Sequence, residues 1–242
     1  MTYHNAVTDK LLIVSYSSET HYVVINNADA IKWFTSNNGE ALPKELDNAI
    51  FSDTTIVYAN SNFVLAPSHQ IEPELLYNLS YGNKANVEVE KLEDLNVVYH
   101  KTSRAFGKNL VLKRETTDIA EIINYSRNRL QNTIRFYELD KVLTLQVVEK
   151  GKLQLLNRYA VADLNELFYH IMNVVEQLSI EPGSISFECI STRGMHENYQ
   201  SIFKNYLPQL KLVPLDVEIS TEDAHIDRNK LAFTRFIAQC VL

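Results

Sequence analysis

The residues best suited to chemistry in this 242-residue chain are seven histidines, two cysteines and a few paired carboxylates, and their spacing points away from catalysis. His4, His21, His69, His100, His170, His196 and His225 show no metal-ligand spacing with cysteine or acid. His196-Glu197 lacks the second histidine that a zinc-hydrolase helix places one turn on. His170 falls beside an apolar helical stripe and reads as a hydrogen-bonded structural histidine. Cys189 lies in the apolar run SISFECI with no group beside it to lower its pKa, so it reads as an inert, buried thiol, and Cys240 likewise. Glu93-Asp94 and Glu222-Asp223 stand in polar stretches and read as solvated surface. Six glycines leave no phosphate loop of the Walker or Rossmann type. The residues by themselves therefore nominate no catalytic group, no metal ligand and no cofactor.

Composition narrows the classes further. Hydrophobic residues make up 45% of the chain, enough for a sizeable core in one large domain or two lobes. With 23 basic against 30 acidic residues the net charge is −7, which argues against a general affinity for nucleic acid or anionic lipid. The cluster Arg127, Arg129 and Arg135 is too small to reverse that, and the thirteen tyrosines read as half-buried sheet residues rather than a base-stacking platform. No apolar run approaches the roughly 18 residues of a membrane span, residues 1–10 are too polar for a signal peptide, and two cysteines do not make a disulfide scaffold. A cytoplasmic location is expected.

The elements that would position any site are clearest from Asn132 to Leu178. Leu143, Leu145 and Val147 alternate along a strand over 142–149. Lys150-Gly151 is a two-residue turn whose glycine accepts positive φ, so 153–159 should return antiparallel. Asp163, with Glu166 three residues on, forms a capping box for a helix. Leu164, Leu167, Phe168, Ile171, Val174, Val175 and Leu178 give that helix its buried stripe. Earlier in the chain, 11–17, 21–26 and 30–36 read as three short strands, and Pro43 opens a helix with Leu46, Ala49 and Ile50. Residues 55–59 form a buried strand, 60–62 a turn, and 63–66 a short extended piece. A helix over 74–81 closes at Gly82, 83–94 is a solvated loop or edge, and 96–101 is a strand. Thr117 or Asp118 caps a helix with Ile119, Ile122, Ile123 and Leu130 on one face. Past the core helix, strands are expected at 184–190 and 210–215 and helices at 197–206 and 228–242.

Both halves thus run strand, strand, strand, helix, strand, helix, strand, helix, an internal duplication of architecture. Three sequential strands make an antiparallel meander, and each strand–helix–strand passage requires a right-handed parallel crossover. The expected fold class is α/β, with two ribonuclease H-like lobes, at 1–130 and 131–242.

This order resembles the actin and sugar-kinase superfamily, in which two such lobes face each other across a nucleotide cleft. Phe63-Val64-Leu65-Ala66-Pro67, Leu155-Leu156-Asn157-Arg158-Tyr159, and Asp163 with Phe168-Tyr169 and Glu176-Gln177-Leu178 carry a closer resemblance. It is to a Bacteroidetes family of unknown function with an actin-like ATPase fold. More distantly the chain is similar to the cytoplasmic actin-like proteins of type IV pilus and type II secretion assembly, of the PilM and GspL kind. The superfamily holds phosphates with a hairpin in each lobe, usually with an aspartate and a glycine, because glycine lets backbone N–H groups approach and a carboxylate orients metal or water. Here the first hairpin, Ser15-Tyr16-Ser17-Ser18-Glu19-Thr20-His21, has neither. The second, Tyr137-Glu138-Leu139-Asp140-Lys141, has Asp140 without a glycine, and Asp140 reads as a turn residue. The adenosine loop would be Ile190-Ser191-Thr192-Arg193-Gly194, with one glycine where two are usual, and Gly194 reads as a strand end.

The function this implies is a non-catalytic actin-like binding or assembly component with a protein partner, no nucleic acid, and self-association left open. The alternative is a divergent ATPase or small-molecule kinase using Ser17, Ser18, Thr20 and Asp140.

Overall fold

The computed structural model describes residues 8–26, 31–37, 42–44, 46, 49–59, 62–84, 86–101, 110, 112–127, 131–191, 193–212 and 227–241. The chain divides into two compact units, Met1–Ile122 with Val241–Leu242, and Ile123–Cys240.

In the first unit, β1 (Lys10–Ser15), β2 (Thr20–Ile25) and β3 (Ile31–Asn37) form the antiparallel meander that the apolar runs predict. Next to β1, β4 (Asp53–Tyr58) and then β8 (Leu112–Thr117) pair in parallel, giving the order β3-β2-β1-β4-β8. Between them the chain builds β5 (Phe63–Pro67), α1 (Glu74–Tyr81), β6 (Val87–Lys91) and β7 (Leu95–His100), an antiparallel sheet of order β5-β7-β6 with α1 upon it. Tyr77 of α1 is wholly buried against Ala66 and Val98, and Gly82 ends the helix at φ 76° with its N–H donated to Asn78 O at 2.8 Å.

Two expectations are corrected in this unit. The strand expected at 96–101 is β7, Leu95–His100, and it belongs to the small sheet; the fifth strand of the large one is β8, which lacks the apolar alternation that marks its neighbours. Among the described residues the helix expected from Pro43 is replaced by two i+3 turns, Leu46 N–H to Pro43 O at 2.8 Å and Ala49 N–H to Leu46 O at 3.0 Å. Leu46 is buried there and Ile50 exposed. The stretch 83–94 contains the edge strand β6, and the expected turn at 60–62 lies largely outside the described residues. Thr117 caps α2 (Asp118–Arg127), its Oγ1 accepting from Ala120 N–H at 3.0 Å. Leu130, expected on this helix, lies outside the described residues.

The second unit repeats the topology. β9 (Thr133–Leu139), β10 (Val142–Glu149) and β11 (Lys152–Ala160) form the meander. α3 (Leu164–Gln177) leads to β12 (Ser186–Cys189), parallel to β9, and α4 (Arg193–Phe203) to β13 (Leu210–Leu212), parallel to β12. α5 (Arg228–Val241) follows. The sheet order is β11-β10-β9-β12-β13, strand for strand the order of the first unit. Both meander turns adopt positive φ at two successive residues, Asp140 and Lys141 at 52° and 61°, Lys150 and Gly151 at 52° and 73°. This matches the strands' right-handed twist.

The capping box at α3 is present: Asp163 Oδ1 accepts from Asn165 N–H at 2.8 Å and Glu166 N–H at 3.0 Å. Glu166 reaches one residue further back than the standard box, to Ala162 N–H at 2.7 Å. Leu167, Ile171, Val174 and Val175 are buried with Ile134, Phe136, Leu145 and Phe187 of the sheet. Leu178, expected on this stripe, instead caps the helix and is 39% exposed. The opposite face of the sheet meets Phe233 of α5, 4.5 Å from Tyr137. That face is polar: Arg135 is 4% exposed, bonded through Nε and Nη2 to Glu188 at 2.9 and 2.7 Å and through Nη1 to Ser126 at 2.6 Å and Gln146 at 3.1 Å. Arg135 is therefore no part of a surface basic cluster. α4 begins four residues before the expected 197, and of the strand expected at 210–215 residues 213–215 lie outside the described part.

Candidate functional site

Open parallel sheets leave a crevice beyond the carboxyl ends of their strands, and that is where ligands are held. In the first unit this edge carries the hairpin between β1 and β2. Tyr16 N–H donates to Glu19 O at 2.9 Å, which leaves Ser17 and Ser18 exposed at the tip and Thr20 buried. His21 is fully buried, with its Nε2 3.2 Å from Glu19 Oε2 and its ring 4.8 Å from that of Tyr16. Glu19 thus braces the turn through both its backbone and its side chain.

In the second unit, Asp140 sits in the tight turn with its Oδ1 3.2 Å from Lys230 Nζ of α5. Gly194 is the second residue of α4, not a strand end. The crevice between the ends of β9 and β12 is filled by Tyr137, Glu138, Ser191, Met195, Tyr199 and Phe233, which leave no room for a water molecule. Tyr199 Oη donates to Glu138 Oε2 at 3.3 Å. Burial, and the Cys189 and Glu138 charges after it, push the Tyr199 phenol up; burial pushes the Cys189 thiol up to about 12. His170 stacks on Tyr159 with ring centroids 4.5 Å apart. Among the described residues no group of three or more His, Cys, Asp and Glu could hold a metal ion, and no helix is long and apolar enough to cross a membrane.

A further polar cluster among the described residues is one that the motifs do not announce. Thr116 Oγ1, in β8, lies 2.7 and 2.9 Å from the two carboxylate oxygens of Glu90, in β6, and 2.8 Å from Glu121 Oε1, in α2. A hydroxyl carries one proton, so it satisfies one of the two carboxyls at a time, and a proton on the other would let that group donate in turn. Arg114 bonds Glu121 and lies 3.4 Å from Glu90, and Thr117 N–H donates to Glu90 at 3.2 Å. Burial raises both carboxyls above their ordinary range; Arg114 and Thr116 oppose the rise at each, and the Glu90 charge adds to it at Glu121. Alongside, Tyr58 Oη donates to Glu115 at 3.0 Å, and Lys101 pairs with the same carboxylate. Two buried carboxyls thus meet on one hydroxyl and one guanidinium between sheet and helix, an arrangement in which a proton can be shared. The one signal available in advance was a carboxylate, Glu121, set between the apolar Ile119 and Ile122–Ile123 of a buried helix. A cavity of about 330 Å³ lies at the opposite, amino ends of β1 and β4, lined by Lys10, Leu12, Ile25, Asp53, Thr55 and Arg114.

A family model described as "Protein of unknown function (DUF3822)" matches residues 41–210. The chain belongs to the DUF3822 family. No curated protein matches it. A Bacteroides thetaiotaomicron protein described as having an actin-like ATPase fold and unknown function superposes with a TM-score of 0.66 at 14% identity, over 97% of this chain and 96% of that one. A chain of a PilM–PilN type IV pilus biogenesis complex gives 0.55 at 11% identity, over 98% and 100%. The cytoplasmic domain of EpsL, an inner-membrane component of the Vibrio cholerae type II secretion system, gives 0.45 at 10%, over 96% and 95%. The DUF3822 chain thus has the actin-like ATPase fold, in line with the resemblance read from its sequence.

Proposed function

We propose that this DUF3822 protein is a non-catalytic actin-like protein of the cytoplasm that acts as a binding or assembly component, with proteins as its partners. The observation that carries the reading is the first hairpin, Ser15 to His21, which holds neither a glycine nor an aspartate to meet a phosphate. Phosphoryl transfer depends on donors, metal-orienting carboxylates and space being present together. Here the first hairpin offers neither glycine nor aspartate, the Asp140 carboxylate of the second lies 3.2 Å from Lys230 Nζ, and the side chains at the ends of β9 and β12 are closely packed. A net charge of −7 adds that the partner is not a nucleic acid. The similarity to a chain of a pilus biogenesis complex is one of fold, and it makes an assembly role a natural use of this architecture.

Calorimetric titration with Mg-ATP and a phosphate-release assay test the reading. Neither saturable binding nor turnover above buffer is expected. Saturable binding with turnover that disappears in Asp140→Ala would establish the divergent ATPase built on Ser17, Ser18, Thr20 and Asp140.

A further inference from the structure

The small sheet of the first unit is covered by a helix with apolar residues on both of its faces. Inward, Tyr77 and Leu76 of α1 pack on Ala66, Val98 and Val64. Outward, Leu75 and Leu79 stand one turn apart, 53% and 83% exposed, and Ile71, in the turn that enters the helix, is 83% exposed. Single exposed leucines are ordinary, whereas three large aliphatic side chains within nine residues of chain make a contiguous candidate for an interaction site.

The charge around this strip is one-sided. Besides Glu90, which is taken up by the cluster around Thr116, residues 62–100 contain Glu72, Glu74, Glu88, Glu93 and Asp94 against Lys84 and Lys91. Glu72 and Glu74 bracket the start of α1, and Ser68 N–H donates to Asp94 O at 3.2 Å, which ties the Glu93-Asp94 turn to the segment feeding the helix. The strip is also small. The helix has 8 residues, about 12 Å of length and about 10 Å of width, a face well below the roughly 800 Å² per partner of a standard protein–protein interface. A second copy would need that larger area and would bring the same excess of carboxylates with it.

We propose that the outer face of α1, with Leu75, Leu79 and Ile71 as anchors and Glu72 and Glu74 as its rim, docks a short basic amphipathic helix of a partner protein. The apolar stripe of such a helix covers the leucines, and its flanking lysines or arginines meet the rim carboxylates. This names the surface for the assembly role proposed above and rests on that reading. The two fail separately, because Mg-ATP turnover would remove the non-catalytic reading while leaving peptide binding to be measured on the same sample.

The probe is a labelled synthetic helix of about 15 residues, with leucines at i, i+3, i+4 and i+7 and lysines on both flanks, followed by fluorescence anisotropy. Saturable binding that weakens with added salt is expected, along with at least a tenfold loss in the double variant Leu75→Ser/Leu79→Ser. Circular dichroism should show that variant folded, since both side chains are largely exposed. A control peptide with glutamates in place of the lysines should not bind. The proposal is overturned if the wild type does not saturate, if the double variant binds as well, or if the acidic peptide binds equally. A concentration-dependent dimer in sedimentation that the double variant abolishes would assign the strip to a second copy instead.

Discussion

Replacing Glu121 by glutamine tests the shared proton of the first unit. The amide keeps the size of the side chain and can still accept from Thr116 and Arg114, but it cannot ionise. In the native protein both carboxyls of the pair have raised pKa values, through burial first of all. Above the ordinary value of 4.5 the unfolded chain releases the Glu121 proton while the folded chain retains it. Stability therefore falls as pH rises from that value until the raised pKa is passed, and the penalty is constant beyond it. One retained proton corresponds to a slope of about 1.4 kcal/mol per pH unit. Glu121→Gln removes that ionisation, so the variant should gain on the wild type by up to about 1.4 kcal/mol for each pH unit of the window. The assay is urea unfolding at a series of pH values from about 5 to about 8, across which the linkage acts. Fluorescence reports on the first unit, because Trp33, the chain's single tryptophan, is in β3. Parallel pH profiles for the two proteins would mean that no proton is shared between Glu90 and Glu121.

Three further outcomes are expected. Leu167→Ala removes a fully buried side chain from the centre of the second unit and should cost about 2–5 kcal/mol in denaturant unfolding; less than roughly 0.5 would contradict its place in the core. Arg135→Met leaves Glu188 without its guanidinium and should cost about 3–5 kcal/mol, most of it restored when Glu188→Leu is added; an undiminished loss in the double variant would mean that packing, not charge, is what Arg135 provides. In a Cys240→Ser background the Cys189 thiol, pushed up to about 12 by burial, should resist a disulfide-exchange reagent near neutral pH until denaturant is added; prompt labelling of the native protein would show that it is accessible.

The parts of the fold legible in advance are those in which local pattern and tertiary position agree. The alternation Leu143–Leu145–Val147, the Lys150-Gly151 turn and the Asp163 cap each specify a local geometry that the sheet then uses. β8 escaped because its sequence, LKRETT, has no apolar alternation. Its strand identity comes from backbone pairing with β4, and its side chains are held by ion pairs with Glu90, Lys101 and Glu121 that are distant in sequence. The same distance hid the carboxylate cluster, since Glu90 in VEVEK looks like half of a solvated edge until β8 supplies Thr116. For the candidate phosphate sites, residue types indicated what was missing. That the crevice is filled could not be read from them, because Tyr199 and Phe233 come from helices whose approach to the sheet is a tertiary fact.

The nine-residue strand β11 lies at the edge of its sheet, and its pairing with β10 slips by one residue between Val147 and Val148. An edge strand of that length is a template on which another chain can add, and regular pairing along it is how fibrils begin. The slip places Gln154 as an extra residue, bends the strand and breaks the period-two register that a stacking neighbour would have to match. Lys152 adds charge at the strand's start, and the Arg158 N–H is already taken up by Asn157 Oδ1 at 2.8 Å. A bulge is one of the devices by which an edge strand resists such addition, and here it sits on the longest strand of the second unit.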